Sequence, residues 1–377
     1  MSKPAGKPDE RAASEMTALE SVLRAMTREG ALYEKLPDNK VRCVACAHRC
    51  LIPDGRAGVC RVRFNEGGVL RVPAGYAAGL QIDPIEKKPF YHVLPGAQAL
   101  SFGMLGCDFH CPFCQNWISS QTLRDPAAIA EPTRVTAQEM VAFARRRGAQ
   151  IATSTYNEPL ITSEWAVEVF TLARQAGMVT GYVSNGHATP EALDYLRPWL
   201  DCYKVDLKCF SPAGYQRLGG KLEHVLETIT GLYARGFWVE IVTLVVPGFN
   251  DSEAELRDIA RFIKGVSPDI PWHATAFHGD YRMDDGRYTS ARQIMRAVEI
   301  GYEEGLHYVY AGNRPGDVGE LENTRCHQCR TLLVERVGFR VLQNNIQAGC
   351  CPKCRTRIPG VWTMDDAQTA RGRDGSL

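Results

Sequence analysis

The chemistry of this chain is concentrated in its cysteines, and the densest group is Cys107, Cys111 and Cys114 in the segment GCDFHCPFCQNW. Three thiolates at C-x3-C-x2-C spacing can hold three irons of a cubane, whereas a 4Fe-4S cluster normally takes four thiolates. One iron would then be open to a substrate or cosubstrate that carries an amine and a carboxylate, and that molecule could receive an electron. Two alternatives stay open at this point: three small buried cysteines, or a zinc site completed by His110.

Composition is typical of a globular protein whose cysteines need a metal. The 377 residues include 44 Lys+Arg, 43 Asp+Glu and 14 cysteines, and 45% are hydrophobic. A net charge of +1 gives no global attraction to nucleic acid or acidic membrane, although a local nucleic-acid patch stays open. The start, MSKPAGKPDERAASEM, lacks a secretory signal and no run of about 18 apolar residues occurs, so we expect a cytoplasmic protein with no membrane partner. Cytosolic thiols stay reduced, and the cysteine groups therefore predict metal or cluster binding rather than disulfides.

A second cysteine group lies near the C-terminus at spacing C-x2-C-x21-C-x2-C. It consists of Cys326, Cys329, Cys351 and Cys354. The spacing is close to that of a zinc ribbon, in which two knuckles share one tetrahedral zinc; an iron site of rubredoxin type is the alternative. Cys350 could replace Cys351 or be an ordinary core residue. A closed four-thiolate site predicts a structural or partner-recognising role.

The third group lies near the N-terminus at spacing C-x2-C-x3-C-x9-C. It consists of Cys43, Cys46, Cys50 and Cys60. Four thiolates serve either zinc or a second 4Fe-4S cluster, and His48 could substitute for one of them. We favour zinc because the intervening loop LIPDGRAG is polar. Two further cysteines, Cys202 and Cys209, carry no spacing signal and are predicted to be buried beside a strand.

The elements that position these cysteines are short apolar runs alternating with helix-period segments. The strand candidates are ALSFGML, IATSTY, MVTGYVS, CYKVDL, WVEIVTLVV, WHATAF and HYVYA. Capping boxes are predicted at Thr136 with Glu139 and at Ser252 with Glu255, each at the start of a helix. A further helix is predicted over 11–27. The alternation predicts an α/β fold with a parallel sheet, as a partial (β/α)6-type TIM barrel or, alternatively, a doubly wound open sheet. In both folds ligands gather at the carboxyl ends of the strands.

These patterns divide the chain into four parts. They are an N-terminal helix and cysteine-rich metal-binding segment (1–75), the partial barrel (76–320), a zinc-ribbon-like module (321–364) and a disordered tail (365–377). The segment DPIEKKPFYH precedes the first barrel strand, and Lys87, Tyr91 and His92 in it are predicted either to line a substrate entrance or to lie in a surface loop.

The cysteine triplet, with Phe113 before its last member, resembles the C-x3-C-x-aromatic-C signature of the radical S-adenosylmethionine (radical SAM) superfamily. The resemblance implies a 4Fe-4S cluster on the triplet and SAM on its open iron. It also implies cofactor-binding roles for residues at later strand ends. Those residues are Tyr156 and Glu158 in TYNEP, Ser184 and Asn185 in VSNG, Asp206 and Lys208 in DLK, and His278 in AFHGD. Glu158 would bind the SAM amino group and Lys208 its carboxylate, while Phe113 or Tyr156 would offer an apolar face to adenine.

The whole chain more closely resembles the AmmeMemoRadiSam-system radical SAM proteins, which are related to pyruvate formate-lyase activating enzymes. Shared segments include CVACAHRC, DPIEKKPFYH, GCDFHCPFCQNW, AFHGDYRM and YAGNRPG. The resemblance implies reductive cleavage of SAM to a 5'-deoxyadenosyl radical, a low-potential electron donor of flavodoxin or ferredoxin type, and a protein substrate. RNA modification is the enzymatic alternative, and a metal-stapled binding module without SAM turnover is the alternative from another class.

Overall fold

An open eight-stranded sheet forms the centre of the computed structural model, which describes residues 18–366. Its strands are β1 (Gly79–Pro84), β2 (Gln98–Gly103), β3 (Ile151–Ser154), β4 (Val179–Ser184), β5 (Cys202–Asp206), β6 (Trp238–Val245), β7 (Trp272–Ala276) and β8 (Val309–Gly312). They follow one another in chain order across the sheet; β2 to β8 are parallel, and β1 pairs antiparallel with β2. All seven predicted strands are confirmed, because apolar runs of this length are buried on both faces. The sheet does not close, so the partial barrel is confirmed too.

Helices cover the outer face of this sheet. They are α1 (Ala137–Arg146), α2 (Ser163–Gln175), α3 (Pro190–Leu196), α4 (Pro212–Leu218), α5 (Leu222–Ala234), α6 (Glu253–Val266) and α7 (Ala291–Glu303). The capping box of Thr136 with Glu139 is present at α1. At α6, Ser252 accepts from the Glu255 N–H, but the Glu255 carboxylate accepts from the Phe210 N–H at 2.6 Å instead of returning the bond. The second predicted capping box is therefore wrong in its return half, because a distant backbone donor claims the carboxylate.

The N-terminal segment folds as a short helix and small antiparallel sheets. The helix is Ala18–Arg24, and the strands are Thr27–Glu29, Tyr33–Leu36, Lys40–Cys43, Leu51–Ile52, Phe64–Glu66 and Val69–Pro73. The predicted helix over 11–27 starts outside the described residues and ends too late, since Thr27 pairs with Pro73. Arg63 and Glu164, 1% and 3% exposed, join this segment to α2 through two hydrogen bonds of 2.7 and 2.8 Å.

The C-terminal part forms a ribbon beside the β8 edge of the sheet. Its strands are Thr324–Arg325, Leu332–Val337 and Arg340–Asn344. The segment 85–97 packs against residues at the start of the parallel strands, and its Tyr91 and His92 backbone N–H groups both donate to the buried Glu240 carboxylate of β6. Asp366, within the predicted tail of 365–377, accepts from the Trp362 and Thr363 N–H groups, and residues 367–377 lie outside the described residues.

Smaller elements complete the description. They are the strand pairs Tyr76–Ala77 with Thr133–Arg134 and His278–Asp280 with Met283–Tyr288, the helical turn Trp117–Ser120, and the 3-10 turns Ile85–Lys87 and Pro159–Thr162. Within 18–366, no helix is both long enough and apolar enough to cross a bilayer.

Candidate active site

A cavity of about 380 Å³ opens at the carboxyl ends of the parallel strands. It brings together most of the residues predicted as cluster or SAM ligands. They are Cys107, Cys111, Phe113, Cys114, Tyr156, Glu158, Ser184, Asn185, Asp206 and Lys208. These residues come from the loops after β2, β3, β4 and β5, and the parallel order of the strands is what places those loops side by side.

The cysteine triplet occupies the loop that follows β2. Gly106, just before it, has a φ of +91°, and a Cβ there would lie 2.9 Å from Val62 Cγ1 and 3.0 Å from the Cys60 carbonyl oxygen. Glycine is therefore required for the chain to turn Cys107 into the cavity. Burial raises the pKa of Cys111 to about 12, so a metal must displace its proton on binding.

The sulfur positions fit a cluster better than a single ion. In the described part of the chain, the three sulfurs do not gather within 4.8 Å of one another as ligands of one ion would. A cubane places each thiolate on a different iron, so its sulfurs stand further apart. No other cysteine and no histidine lines the cavity within 18–366, and His110 is exposed. Three thiolates with one iron left open match this donor set.

Glu158 lies at the floor of the cavity and is only 2% exposed. Its Oε1 accepts from the Ser184 hydroxyl at 2.7 Å and the Leu160 N–H at 3.1 Å, and its Oε2 accepts from the Asn185 N–H at 2.7 Å. Glu158 thus caps the 3-10 turn after it while facing the cavity. Burial, helped by the Asp108 carboxylate, raises the pKa of Glu158 to about 8. One further lone pair on Oε2 is free for a donor such as an ammonium.

Two lysines flank Asp206 at the end of β5. Lys208 Nζ lies 3.4 Å from Asp206 Oδ2, and Lys204 Nζ pairs with Oδ1. Burial opposes the charge, but the Asp206 carboxylate outweighs it and raises the pKa of Lys208 above its usual value. Two cations on one carboxylate leave an excess positive charge in the cavity. The sequence reasoning missed Lys204, since its place inside a strand gives no local signal.

The cavity wall near β3 carries Tyr156, whose φ of +72° is unusual for an aromatic residue. Its hydroxyl donates to Asp83 Oδ2 at 3.0 Å, and the Lys88 ammonium lies 4.5 Å from its ring centroid. Lys88 also pairs with Asp83 at 2.8 Å. These contacts hold the strained residue in place, and Asp83 and Lys88 are supporting residues that the sequence reasoning did not identify.

Some predicted residues lie elsewhere. His278 is exposed in a short strand outside the cavity lining, where its Nε2 is 3.0 Å from Gln115 Nε2. Lys87 lines the cavity, but Tyr91 and His92 are buried between the sheet and the ribbon, neither at an entrance nor on the surface. Both alternatives for those two residues were wrong, because the segment crosses beneath the barrel. Cys202 and Cys209 are buried, as predicted.

The C-terminal cysteines gather around one point. Their sulfurs lie within 4.8 Å of one another, with separations of 3.6 Å between Cys326 and Cys354 and between Cys329 and Cys351. Zinc–sulfur bonds of about 2.3 Å at a tetrahedral ion require sulfurs about 3.8 Å apart. The geometry therefore matches one tetrahedral ion, and Cys350 is not a member of the group.

The N-terminal cysteines are arranged differently. Within 18–366, no three of these four sulfurs lie within 4.8 Å of one another. A metal on Cys43, Cys46, Cys50 and Cys60, either zinc or a second 4Fe-4S cluster, stays a prediction. Cys46 instead lies within that distance of a carboxylate oxygen of Asp108 and a ring nitrogen of His187. The sequence reasoning did not identify Asp108 or His187 as partners, since they lie about 60 and 140 positions away along the chain.

Comparison with known proteins found a family model, curated relatives and solved structures that are similar to this chain. A family model described as the Radical SAM superfamily matches residues 103–263. An uncharacterized protein of Methanocaldococcus jannaschii is 37% identical over 335 residues, which are 88% of this chain and 98% of that protein. The isethionate sulfite-lyase activating enzyme of Nitratidesulfovibrio vulgaris is 26% identical over 181 residues, 45% of this chain and 58% of that enzyme. A solved domain of a pyruvate-formate lyase-activating enzyme from Bacteroides vulgatus has a TM-score of 0.37 at 18% identity, covering 43% of this chain and 98% of its own.

The family-model match falls on the part of the parallel sheet that carries the three-cysteine loop, and it places the chain among radical SAM enzymes. The chain belongs to the radical SAM superfamily. Membership implies SAM and a 4Fe-4S cluster as cofactors, and its relatives include proteins named as activating enzymes.

Proposed function

We propose that this protein is an activating-enzyme-like radical SAM enzyme that acts on a protein substrate. Cys107, Cys111 and Cys114 would hold a 4Fe-4S cluster, which would supply one electron from an external reductant to split SAM into methionine and a 5'-deoxyadenosyl radical for hydrogen abstraction from the substrate. The observation that carries the proposal is one cavity lined by three cysteines, the Glu158 carboxylate and the Lys208 ammonium.

The side chains of the cavity complement the polar end of SAM. Glu158 keeps a lone pair toward the cavity and would accept from the SAM ammonium, with Ser184 and Asn185 fixing its orientation. Lys208, whose partner Asp206 is already paired with Lys204, would donate to the SAM carboxylate. The SAM ammonium would favour the ionised form of Glu158, and opposite charges on Glu158 and Lys208 would then orient an amino acid with respect to the open iron.

Apolar surfaces in the cavity suit the adenine end. Phe113, 4% exposed, packs against Phe249 with ring centroids 5.5 Å apart, so its ring is held in one orientation. The Tyr156 ring is held by the Asp83 hydrogen bond. Either ring would exclude water from the nucleoside, which protects a radical from quenching.

Two features favour a protein as the substrate. Relatives are named as activating enzymes of isethionate sulfite-lyase, choline trimethylamine-lyase and (2S)-3-sulfopropanediol sulfolyase. In addition, Phe339 of the ribbon reaches the cavity lining while 45% exposed, so the ribbon contributes to the mouth through which a protein segment would enter. The electron would come from a low-potential donor of flavodoxin or ferredoxin type.

The C-terminal cysteine group is assigned a structural zinc. Its four sulfurs satisfy a tetrahedral ion and leave no open position for chemistry. Its Cys326 and Cys351 belong to a buried cluster with Tyr308 and Tyr310. Tyr308 directly precedes β8, and Tyr310 lies within it. Zinc there would fix the ribbon against the barrel and so position Phe339.

Anaerobic turnover tests the proposal. Reconstituted protein with excess low-potential reductant should convert SAM to 5'-deoxyadenosine, and Cys114→Ala should abolish the product. Cys350→Ala is the matched control, because this cysteine lies outside both the cavity and the tetrahedral group. Iron and sulfide analysis should give four irons for each chain. Product formation that is unchanged in Cys114→Ala, or protein that binds zinc but no iron, would rule the proposal out.

A further inference from the structure

A second cluster of metal-ligating side chains lies directly behind the cysteine triplet. It is formed by Cys46, Asp108 and His187, all buried, whose ligand atoms lie within 4.8 Å of one another. His48 Nε2 approaches the same Asp108 Oδ2 at 3.9 Å. One thiol, one carboxylate and two imidazoles therefore converge from three separate segments of the chain.

The distances suit a small tetrahedral ion. Asp108 Oδ2 lies 3.3 Å from His187 Nδ1. Zinc bonds of about 2.0–2.1 Å to nitrogen and oxygen place two such ligands about 3.3 Å apart at a tetrahedral centre. Bringing His48 Nε2 to that separation requires a movement of about half an ångström, which a side-chain rotation supplies. The donor set of sulfur, nitrogen and oxygen is one that zinc accepts.

Nε2 of His48 is buried in this cluster without a hydrogen-bond partner; Nε2 of His187 is also unpartnered, but it is the other ring nitrogen of His187, Nδ1, that faces Asp108. A buried polar atom left unpaired costs about 1–3 kcal/mol, so native proteins seldom retain one without a reason. The unpartnered His48 Nε2 is the atom that approaches Asp108 Oδ2. A cation between them would satisfy both.

We propose that Cys46, His48, Asp108 and His187 bind one zinc ion. The site ties the N-terminal segment to the loop after β2, where Asp108 directly follows Cys107, and to the loop after β4. Backbone contacts already join the same segments, since the Ala47 N–H donates to the His187 carbonyl at 2.9 Å and Cys46 forms an antiparallel bridge with Ala188.

Asp108 connects the proposed zinc site to the SAM cavity. Its other oxygen, Oδ1, accepts from Asn185 Nδ2 at 2.7 Å, and Asn185 lines the SAM cavity. The zinc would thus fix the carboxylate that orients Asn185 and the backbone next to Cys107. These four ligands fill a tetrahedron, so the site is a positioning site rather than a second centre of catalysis.

Zinc analysis of the full-length chain, purified without oxygen, tests this site independently of SAM turnover. We expect two zinc ions for each chain, one here and one in the ribbon. His187→Gln and Cys46→Ser should each lose one zinc. Cys43→Ser is the matched control: it removes another buried N-terminal thiol and should keep both ions. Loss of zinc from Cys43→Ser as well would overturn the ligand set in favour of the four N-terminal cysteines.

Zinc K-edge absorption of the unsubstituted protein covers the case in which the variants fail to fold. One sulfur here and four in the ribbon average to about 2.5 sulfurs for each zinc, with the remaining ligands nitrogen or oxygen at about 2.0–2.1 Å. The edge is selective for zinc, so iron does not interfere. An average of four sulfurs, or a single zinc surrounded by sulfur alone, would refute the site.

Discussion

Replacing Lys208 by methionine tests whether its ammonium binds the carboxylate of SAM. Lys208 lies 3.4 Å from Asp206 Oδ2, and Lys204 holds the other oxygen of the same carboxylate. The Lys208→Met variant therefore leaves Asp206 paired with Lys204, and we expect it to fold and to bind iron normally. A hydrogen bond to a charged group contributes about 1.5–3 kcal/mol. Since 1.4 kcal/mol is a factor of ten, KM for SAM should rise about 10-fold to 150-fold.

The assay is anaerobic formation of 5'-deoxyadenosine over a range of SAM concentrations, with iron content measured on the same samples. Binding of the carboxylate is the same before and during bond cleavage, so kcat should change much less than KM. Lys208→Arg retains a cation and should recover part of the affinity, although its fork differs in shape from an ammonium. A KM within about twofold of the unsubstituted value in Lys208→Met, a difference below about 0.5 kcal/mol, would refute this role for Lys208.

Three further predictions concern the scaffold. Gly106→Ala places a Cβ 2.9 Å from Val62 in a residue with a φ of +91°; it should cost at least about 1–2 kcal/mol of stability and lower iron incorporation, as measured by thermal unfolding and iron analysis. Arg63→Met leaves the Glu164 carboxylate buried without its cation and should lower the free energy of unfolding, measured by denaturant titration, by about 3–5 kcal/mol. The double variant Arg63→Met/Glu164→Gln removes the unpaired charge and should recover part of this loss. Equal losses in the two variants would contradict a charge effect. Burial lowers the pKa of His92 to about 4, below its value of about 6.5 in the unfolded chain. The unfolded state therefore binds the extra proton first, and the free energy of unfolding should fall by up to about 3 kcal/mol as pH drops from about 6.5 to 4. His92→Gln should flatten that part of the pH profile, and an unchanged slope would show that another group is responsible.

Much of the scaffold was predictable from local patterns. Each parallel strand is a short apolar run bounded by polar residues, and burial on both faces of a parallel sheet leaves few other solutions for such runs. The α1 capping box was predictable for the same reason, because Thr136 and Glu139 are three positions apart and satisfy each other. The return half of the box at Ser252 does not form, because the Glu255 carboxylate accepts instead from the Phe210 N–H. Phe210 lies 45 positions from Glu255 along the chain, so no local pattern indicates this contact.

Local spacing was enough to identify the residues that can ligate a metal within one loop. The spacing of Cys107, Cys111 and Cys114 requires only that a short segment wrap around a cluster, and the two C-x2-C knuckles likewise need only a hairpin between them. The resemblance then ordered later motifs along successive strands, and the parallel sheet places them around one cavity.

The pairing of buried charged side chains that are distant along the chain depends on the folded structure. The second lysine on Asp206, the Asp83 carboxylate beneath Tyr156 and the meeting of Cys46 with Asp108 all depend on how strands and loops pack. Side chains buried together must pair their charges with one another, because water is excluded and an unpaired charge there is too costly to retain. The spacing of residues along the chain does not indicate those pairings, since each partner comes from a different segment of the fold.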